Sequence, residues 1–175
     1  MNSNELSIRL AERMHKITKD LLRKYQLRDR NEITCCGISV SQCYALDILG
    51  EQGEMTMAGL AQYMYLEKST VTRIVDQLIK RELVERRQNE SDRRKVHIAL
   101  TESGKKLRQE ILDCQISSQK QILEQIPESK REMALEGLEL LSSAIQEWLA
   151  TCCLPTNVKI PKENLIKGAS HERHE

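Results

Sequence analysis

The fold is decided by residues 66–100, which read LEKSTVTRIVDQLIKRELVERRQNESDRRKVHIAL. In the first half of this stretch, apolar side chains recur at i, i+3, i+4 and i+7, a spacing that places them on one face of an α-helix. These side chains are Val71, Ile74, Val75 and Leu78. The spacing then changes, and two short strand candidates, 83–87 and 95–100, flank the turn-forming run QNESD. The stretch therefore predicts a helix over about residues 67–81, followed by a β-hairpin.

Three further helices are predicted before this stretch. Ser39 and Gln42 have the spacing of a capping box, so a helix is expected to begin there and to end at Gly50 and Gly53. The first helix of the chain is recognised by the helical spacing of its apolar residues, and a short helix directly precedes the stretch. The expected ranges are 5–26, 39–49 and 56–64.

Two long helices are predicted after the hairpin, 101–125 and then a last one through Cys152, with Pro127 between them. The apolar faces of the first and the last two helices are too extensive for so small a core to cover, which predicts a homodimer. The expected fold class is mainly α with a small β-hairpin wing. The expected organisation is a winged helix-turn-helix over 39–100, helical dimerisation regions over 1–38 and 101–154, and an irregular tail over 155–175.

Composition excludes several classes of function. Aromatic residues make up 3% of the chain and Phe is absent, which disfavours domains that stack single-stranded bases on aromatic rings. No apolar run approaches the ~18 residues that cross a bilayer and no secretory leader is visible, so a cytoplasmic protein without membrane contacts is expected. Because no nucleophile elbow, Gly-rich phosphate loop or zincin motif is present, no enzyme is expected.

Positive charge is concentrated in one part of the chain. The formal net charge is only +1, but residues 56–106 hold eleven Lys or Arg against seven Asp or Glu. Such a local excess is typical of a surface that binds phosphates.

The polar face of helix 67–81 and the tip of the hairpin form the candidate contact with double-stranded DNA. Short hydroxyl side chains near a helix N-terminus can bind phosphates, while Arg and Gln reach base edges. A narrow cationic hairpin fits a minor groove, and Asp92 is interpreted as a brace for a neighbouring guanidinium. The candidate DNA-binding residues are Lys68, Ser69, Thr70, Thr72, Arg73, Gln77, Arg93, Arg94 and Lys95. The alternatives are an ordinary amphipathic surface helix and a winged helix that binds protein instead of DNA.

The order of these segments resembles the MarR family of multiple antibiotic resistance regulators. The similarity covers about residues 39–106 and lies in the runs LA (60–61), LEKSTVTRIV (66–75), KRELVER (80–86), DRR (92–94) and LTESG (100–104). The resemblance implies a triangular homodimer with recognition helices in successive major grooves and wing arginines in the flanking minor grooves. It places Ser69, Thr70, Thr72, Arg73 and Gln77 on the reading helix and Arg94 at the wing tip.

Two positions depart from the pattern of that family. Tyr65 stands in the turn before the reading helix, where Gly or Asn is usual, and a positive φ is costly for a bulky residue. Arg81 replaces the usual Gly after the reading helix. Both turns are therefore expected to be altered.

Six cysteines without a leader indicate reduced thiols rather than a disulfide framework. The resemblance places Cys35, Cys36 and Cys43 at the junction between the dimer helices and the DNA-reading lobes, where members of the family sense their signals. Three thiolates could hold a soft metal or metalloid ion, and a thiolate near a helix N-terminus favours reaction with an oxidant. No cofactor is required in either case. The alternatives are an organic ligand in the dimer pocket and cysteines that are simply part of the core. His171 and His174 are interpreted as part of a solvated tail.

Overall fold

The computed structural model of the protein describes residues 3–35, 37–88 and 96–151. Six helices and three strands follow one another along these residues. They are α1 (Ser3–Cys35), α2 (Val40–Gln52), β1 (Met55–Thr56), α3 (Met57–Tyr63), α4 (Lys68–Lys80), β2 (Val84–Gln88), β3 (Val96–Leu100), α5 (Glu102–Glu124) and α6 (Glu128–Thr151). The predicted fold class, mainly helical with a small β-hairpin wing, is confirmed. The predicted tail, 155–175, lies outside the described residues.

Helix α1 is longer than the sequence pattern indicated. It was expected to end near Gln26, but it continues to Cys35. The extension is stabilised by tertiary contacts: Ile33 is fully buried in the core, and Asp29 accepts a hydrogen bond from the hydroxyl of Tyr44. Local periodicity cannot reveal contacts of this kind.

Helix α2 begins as predicted and ends later than predicted. Ser39 and Gln42 form both hydrogen bonds of the capping box. Gly53, with φ of +79°, ends the helix, whereas Gly50 lies inside it. The absent side chain of Gly50 leaves room for Arg108 of α5, since a Cβ at this position would lie 2.2 Å from its Nε atom.

The sheet is antiparallel with strand order β1-β3-β2. The hairpin of β2 and β3 was predicted, with Val84 opposite Leu100 and Gln88 opposite Val96. The two-residue strand β1, which pairs with His97 and Ile98, was not predicted. A strand of two residues carries no periodicity of its own, so only its pairing defines it.

The hydrophobic core joins the winged unit to the helices beside it. Leu46, Leu60, Val71, Leu78 and Ile98 lie at its centre and are fully buried. Buried side chains from outside the predicted range 39–100 belong to the same core; they are Ile33, Ile38 and Ile111. The core therefore includes residues on both sides of the predicted winged region.

The turns after α3 and α4 have the same design. In each, the hydrogen bonds of a Schellman motif form: Leu66 N–H donates to the carbonyl of Ala61, and Leu83 N–H donates to that of Leu78. The residue with positive φ is Tyr65 (+53°) in the first turn and Glu82 (+58°) in the second. Because this conformation costs a non-glycine residue about 1 kcal/mol, both turns keep their geometry against a local penalty. Tyr65 therefore adopts the left-handed conformation itself. In the second turn Arg81 does not, and the left-handed residue is Glu82, which follows it.

The long helices expose apolar faces that no other part of the described chain covers. No described residue of α6 is buried, and Leu138, Leu140 and Trp148 are exposed on it. Helix α1 exposes further large apolar side chains, namely Leu6, Ile8, Leu10, Met14, Ile17, Leu22 and Leu27. So large an exposed apolar surface is characteristic of a protein-interaction face.

Candidate nucleic-acid interface

The reading helix α4 buries one face and exposes the other. Val71, Ile74, Val75 and Leu78 are all buried, as the spacing predicted. Helix α3 packs against it and orients it relative to the sheet. The opposite face is therefore fixed in direction and free to meet a ligand.

The first turn of α4 has the properties of a phosphate-binding helix end. Its N-cap residue Glu67 makes no side-chain capping hydrogen bond, so the first backbone N–H groups receive no side-chain cap from it. Lys68, Ser69 and Thr70 are exposed there. Thr72 is half-buried and its hydroxyl donates to the Lys68 carbonyl at 2.8 Å. Free N–H groups, the helix dipole and a lysine together favour an anion at this end.

Arg73 is exposed on the same side of α4, one turn further along. None of the described residues forms an ion pair with it. Its guanidinium offers several donors in a planar fork, the geometry that pairs with the edge of guanine or with a phosphate. Its role in reading a base stays a prediction.

A salt bridge connects the reading helix to the hairpin. Arg86 on β2 lies 2.7 Å from Asp76 on α4, and both side chains are about half-exposed. An exposed pair of this kind contributes little to stability, and it joins the two elements that would contact DNA. Sequence reasoning missed Arg86, because its partner lies on a different element.

Gln77 is placed differently from the other predicted contacts. Its Oε1 atom accepts a hydrogen bond of 3.0 Å from Nε2 of Gln42, at the start of α2. The guanidinium of Arg81 also reaches the segment between α1 and α2 (the α1–α2 junction), where it donates to the carbonyl of Gly37. The C-terminal end of α4 is thus bonded to the junction, and Gln42 had been noticed in the sequence only as a cap.

The sequence predicts four site residues at the tip of the hairpin, namely Asp92, Arg93, Arg94 and Lys95. All four lie outside the described residues, so the roles of the three cations and of the Asp92 brace stay predictions.

The predicted sensing cysteines are described only in part. Cys35 is the last residue of α1, while its side chain and Cys36 lie outside the description. Cys43 is 1% exposed, and its thiol lies 3.8 Å from a carboxylate oxygen of Asp47. Burial raises the pKa of Asp47, although Arg108 beside it opposes that shift. Among the residues that the structure describes, no group of three His, Cys, Asp or Glu side chains could hold a metal ion.

Comparisons with known proteins agree with this geometry. The MarR family model matches residues 38–96. The HTH-type transcriptional regulator YfiV of Bacillus subtilis (strain 168) is 30% identical over 120 residues, which are 69% of this chain and 75% of YfiV. The organic hydroperoxide resistance transcriptional regulator of the same organism is 28% identical over 101 residues, 57% of this chain and 65% of that protein. The structure of a MarR family protein from Bacillus stearothermophilus is similar with a TM-score of 0.74 and 26% identity, over 83% of this chain and 98% of that one.

An exposed reading helix within a three-helix unit, next to a β-hairpin, defines a winged helix-turn-helix protein. Its relatives are transcriptional regulators, in agreement with the expectation that it is not an enzyme. The chain belongs to the MarR family, and it is a DNA-binding transcriptional regulator of that family. Over the described residues, no helix combines the length and the apolar character needed to cross a membrane.

Proposed function

We propose that the protein is a homodimeric repressor that binds a palindromic operator in chromosomal DNA, in the cytoplasm, and is released by a signal. The observation that carries this proposal is the exposed, uncapped start of α4 with Arg73 projecting beside it. A helix end of this kind binds phosphates, and the arginine beside it can select a base. The alternative of a winged helix that binds protein gives no reason for that combination.

The proposed dimer follows from the exposed faces of α1, α5 and α6. Their apolar side chains, including Leu10, Ile17, Ile116, Leu138 and Trp148, are left in water by the protomer. Burying such area between two copies is favourable by about 25 cal/mol per Å². A two-fold axis would then present two reading helices to successive turns of a palindrome.

Oligomeric state and salt dependence test this function together. Sedimentation equilibrium should give twice the mass of one chain. The dimer should bind a duplex selected from random DNA, and its affinity should fall by at least about a hundredfold between 50 and 200 mM salt, because bound cations release counterions from phosphates. A monomer, or an affinity that does not respond to salt, would exclude this function.

The proposed signal is chemistry at the thiols beside the α1–α2 junction. Cys35 ends α1 and Cys36 follows it, so modification there would act where the reading helix is bonded to the junction. The relative named for organic hydroperoxide resistance supports an oxidant over a soft metal or metalloid. A thiolate that attacks the O–O bond of a hydroperoxide becomes a sulfenic acid and releases the alcohol. Cys43 is the poorest candidate, because its thiol is 1% exposed and an oxidant cannot readily reach it.

Substitution of the cysteines tests the signal. With tert-butyl hydroperoxide as the probe, the wild-type dimer should lose most of its operator affinity and regain it with dithiothreitol. The double variant C35S/C36S should keep its affinity, and C43S should respond like the wild type. Parallel titrations with arsenite and Zn(II) test the metalloid and metal alternatives. Undiminished release of C35S/C36S/C43S by the same inducer would contradict thiol sensing and favour an organic ligand in the dimer pocket.

A further inference from the structure

The C-terminal end of the reading helix is bonded to the α1–α2 junction at two points. Nε2 of Gln42 donates to Oε1 of Gln77 over 3.0 Å, and the Arg81 guanidinium donates to the carbonyl of Gly37. Gln77 lies in the last turn of α4 and Arg81 directly follows the helix. On the other side of the two bonds, the acceptor Gly37 lies just before α2 and the donor Gln42 lies in the first turn of α2.

The capping box decides how the two glutamine amides are turned. The backbone N–H of Ser39 can only donate, and it lies 2.8 Å from Oε1 of Gln42. The NH₂ group of Gln42 must therefore face Gln77, which has to present its oxygen. Gln42 is 7% exposed whereas Gln77 is exposed, so loss of the Gln77 amide would leave the amide of Gln42 with little access to water. The capping box at the start of α2 thus fixes the orientation of the Gln42 amide, which bonds to Gln77, a residue 35 positions later in the chain.

We propose that Gln42 and Arg81 are positioning residues for DNA binding, and that they set the tilt of the reading helix by holding its C-terminal end. The remaining attachments of α4 are its buried apolar face and the exposed salt bridge of Asp76 with Arg86. Packing of the apolar face fixes the general direction of the helix, but apolar contacts are not directional and an exposed ion pair is weak, so neither defines the tilt as closely as a buried hydrogen bond. Hydrogen bonds are directional and determine the orientation of what they join. Arg73 lies one turn before Gln77, so a change of tilt at the anchored end displaces the guanidinium that meets the base.

This inference rests on the proposed function, because positioning matters only if α4 binds DNA. Both reading helices of a dimer must be aligned at once. The apparent affinity is therefore proportional to the square of the fraction of α4 helices that have the correct tilt, so a modest loss of alignment in each copy has a larger effect on binding.

Variants of the two glutamines test the proposal on a duplex selected from random DNA by the wild-type dimer. Q42M and Q77M should each weaken binding by about five- to a hundredfold, the range that follows when a hydrogen bond of ordinary strength is lost in both copies. The double variant Q42M/Q77M should be no weaker than the worse single variant, because both remove the same bond. Q42E should bind within about twofold of the wild type, since a carboxylate accepts from Ser39 N–H and from a turned Gln77 amide.

Two controls separate positioning from loss of fold. S39A removes the hydroxyl that caps α2 but leaves the Gln42 side chain, so it should lower Tm and leave the affinity of the folded dimer unchanged. R81M should weaken binding to a similar degree as Q42M, while K80M, which removes the same charge from the neighbouring position, should have a smaller effect.

The outcomes are distinct. An additive loss in Q42M/Q77M would show that Gln77 contacts DNA on its own. Unchanged affinity in Q42M would show that the tilt of the reading helix does not depend on the bond between Gln42 and Gln77. Either result overturns the proposal. If the wild type selects no duplex at all, the proposed function fails and this inference fails with it.

Discussion

Replacing Gly104 with alanine is expected to lower the free energy of unfolding by about 3 kcal/mol, the upper part of the range for forcing an atom into a packed site. A Cβ on Gly104 would lie 2.0 Å from the backbone carbonyl oxygen of Leu83. A backbone atom cannot move aside as a side chain does, so the start of α5 would separate from the turn after α4. For a chain of this size, the change corresponds to a fall in Tm of about 10 °C.

The contact that alanine would break holds two elements together. The carbonyl of Leu83 also accepts a hydrogen bond from Thr101 N–H, at 3.1 Å. The Thr101 hydroxyl donates to the carbonyl of Glu82 and accepts from Gly104 N–H. The run LTESG is thus the connection between the reading helix and α5, and its glycine is needed for the close approach rather than for a positive φ.

Thermal and denaturant unfolding measure this effect, with neighbouring substitutions as controls. S103A changes an exposed residue in the same turn and should stay within about 0.5 kcal/mol of the wild type. G50A also creates an overlap, but with the flexible side chain of Arg108, so its cost should be smaller than that of G104A. Equal stability of G104A and S103A would contradict the argument.

The sequence predicted those elements that are determined by residues close to one another in the chain. The buried face of α4, the capping box of Ser39 and Gln42, and the start of α5 at Thr101 each depend on residues within two turns of one another. Such patterns can be read from the chain without knowing how it folds. The exposed face of α4, with Arg73 on it, was found for the same reason.

The sequence did not predict those elements that depend on contacts between residues far apart in the chain. The last nine residues of α1 are helical because Ile33 enters the core and Asp29 meets Tyr44. Strand β1 exists only through its pairing with β3. The positive φ of Glu82 was not foreseen because Schellman hydrogen bonds, not residue preference, impose it.

The same limit applies to the candidate site. The contacts of Gln77 with Gln42 and of Asp76 with Arg86 join elements that the sequence does not show to be neighbours. Sequence reasoning therefore located the exposed face of α4 but not the side-chain bonds that join this helix to its neighbours.

Replacing Arg73 with alanine should have the largest effect on DNA binding. A bidentate arginine contact with a base is worth about 2 kcal/mol, and it would be lost in both half-sites, so operator affinity should fall on the order of a thousandfold. The fold should be unaffected, because Arg73 is exposed and makes no ion pair with a described residue.

Fluorescence anisotropy on the selected operator and on an unrelated duplex separates the two roles that Arg73 can have. Base reading requires that R73A lose far more affinity for the operator than for the unrelated duplex, whereas a phosphate contact would weaken both alike. R73K keeps the charge but not the planar fork, so it should recover only part of the loss. K106A removes one exposed positive charge from α5 and serves as the matched control. If R73A were no weaker on the operator than K106A, the projecting arginine of α4 would not be a determinant of binding, and the reading face would have to be sought in other residues.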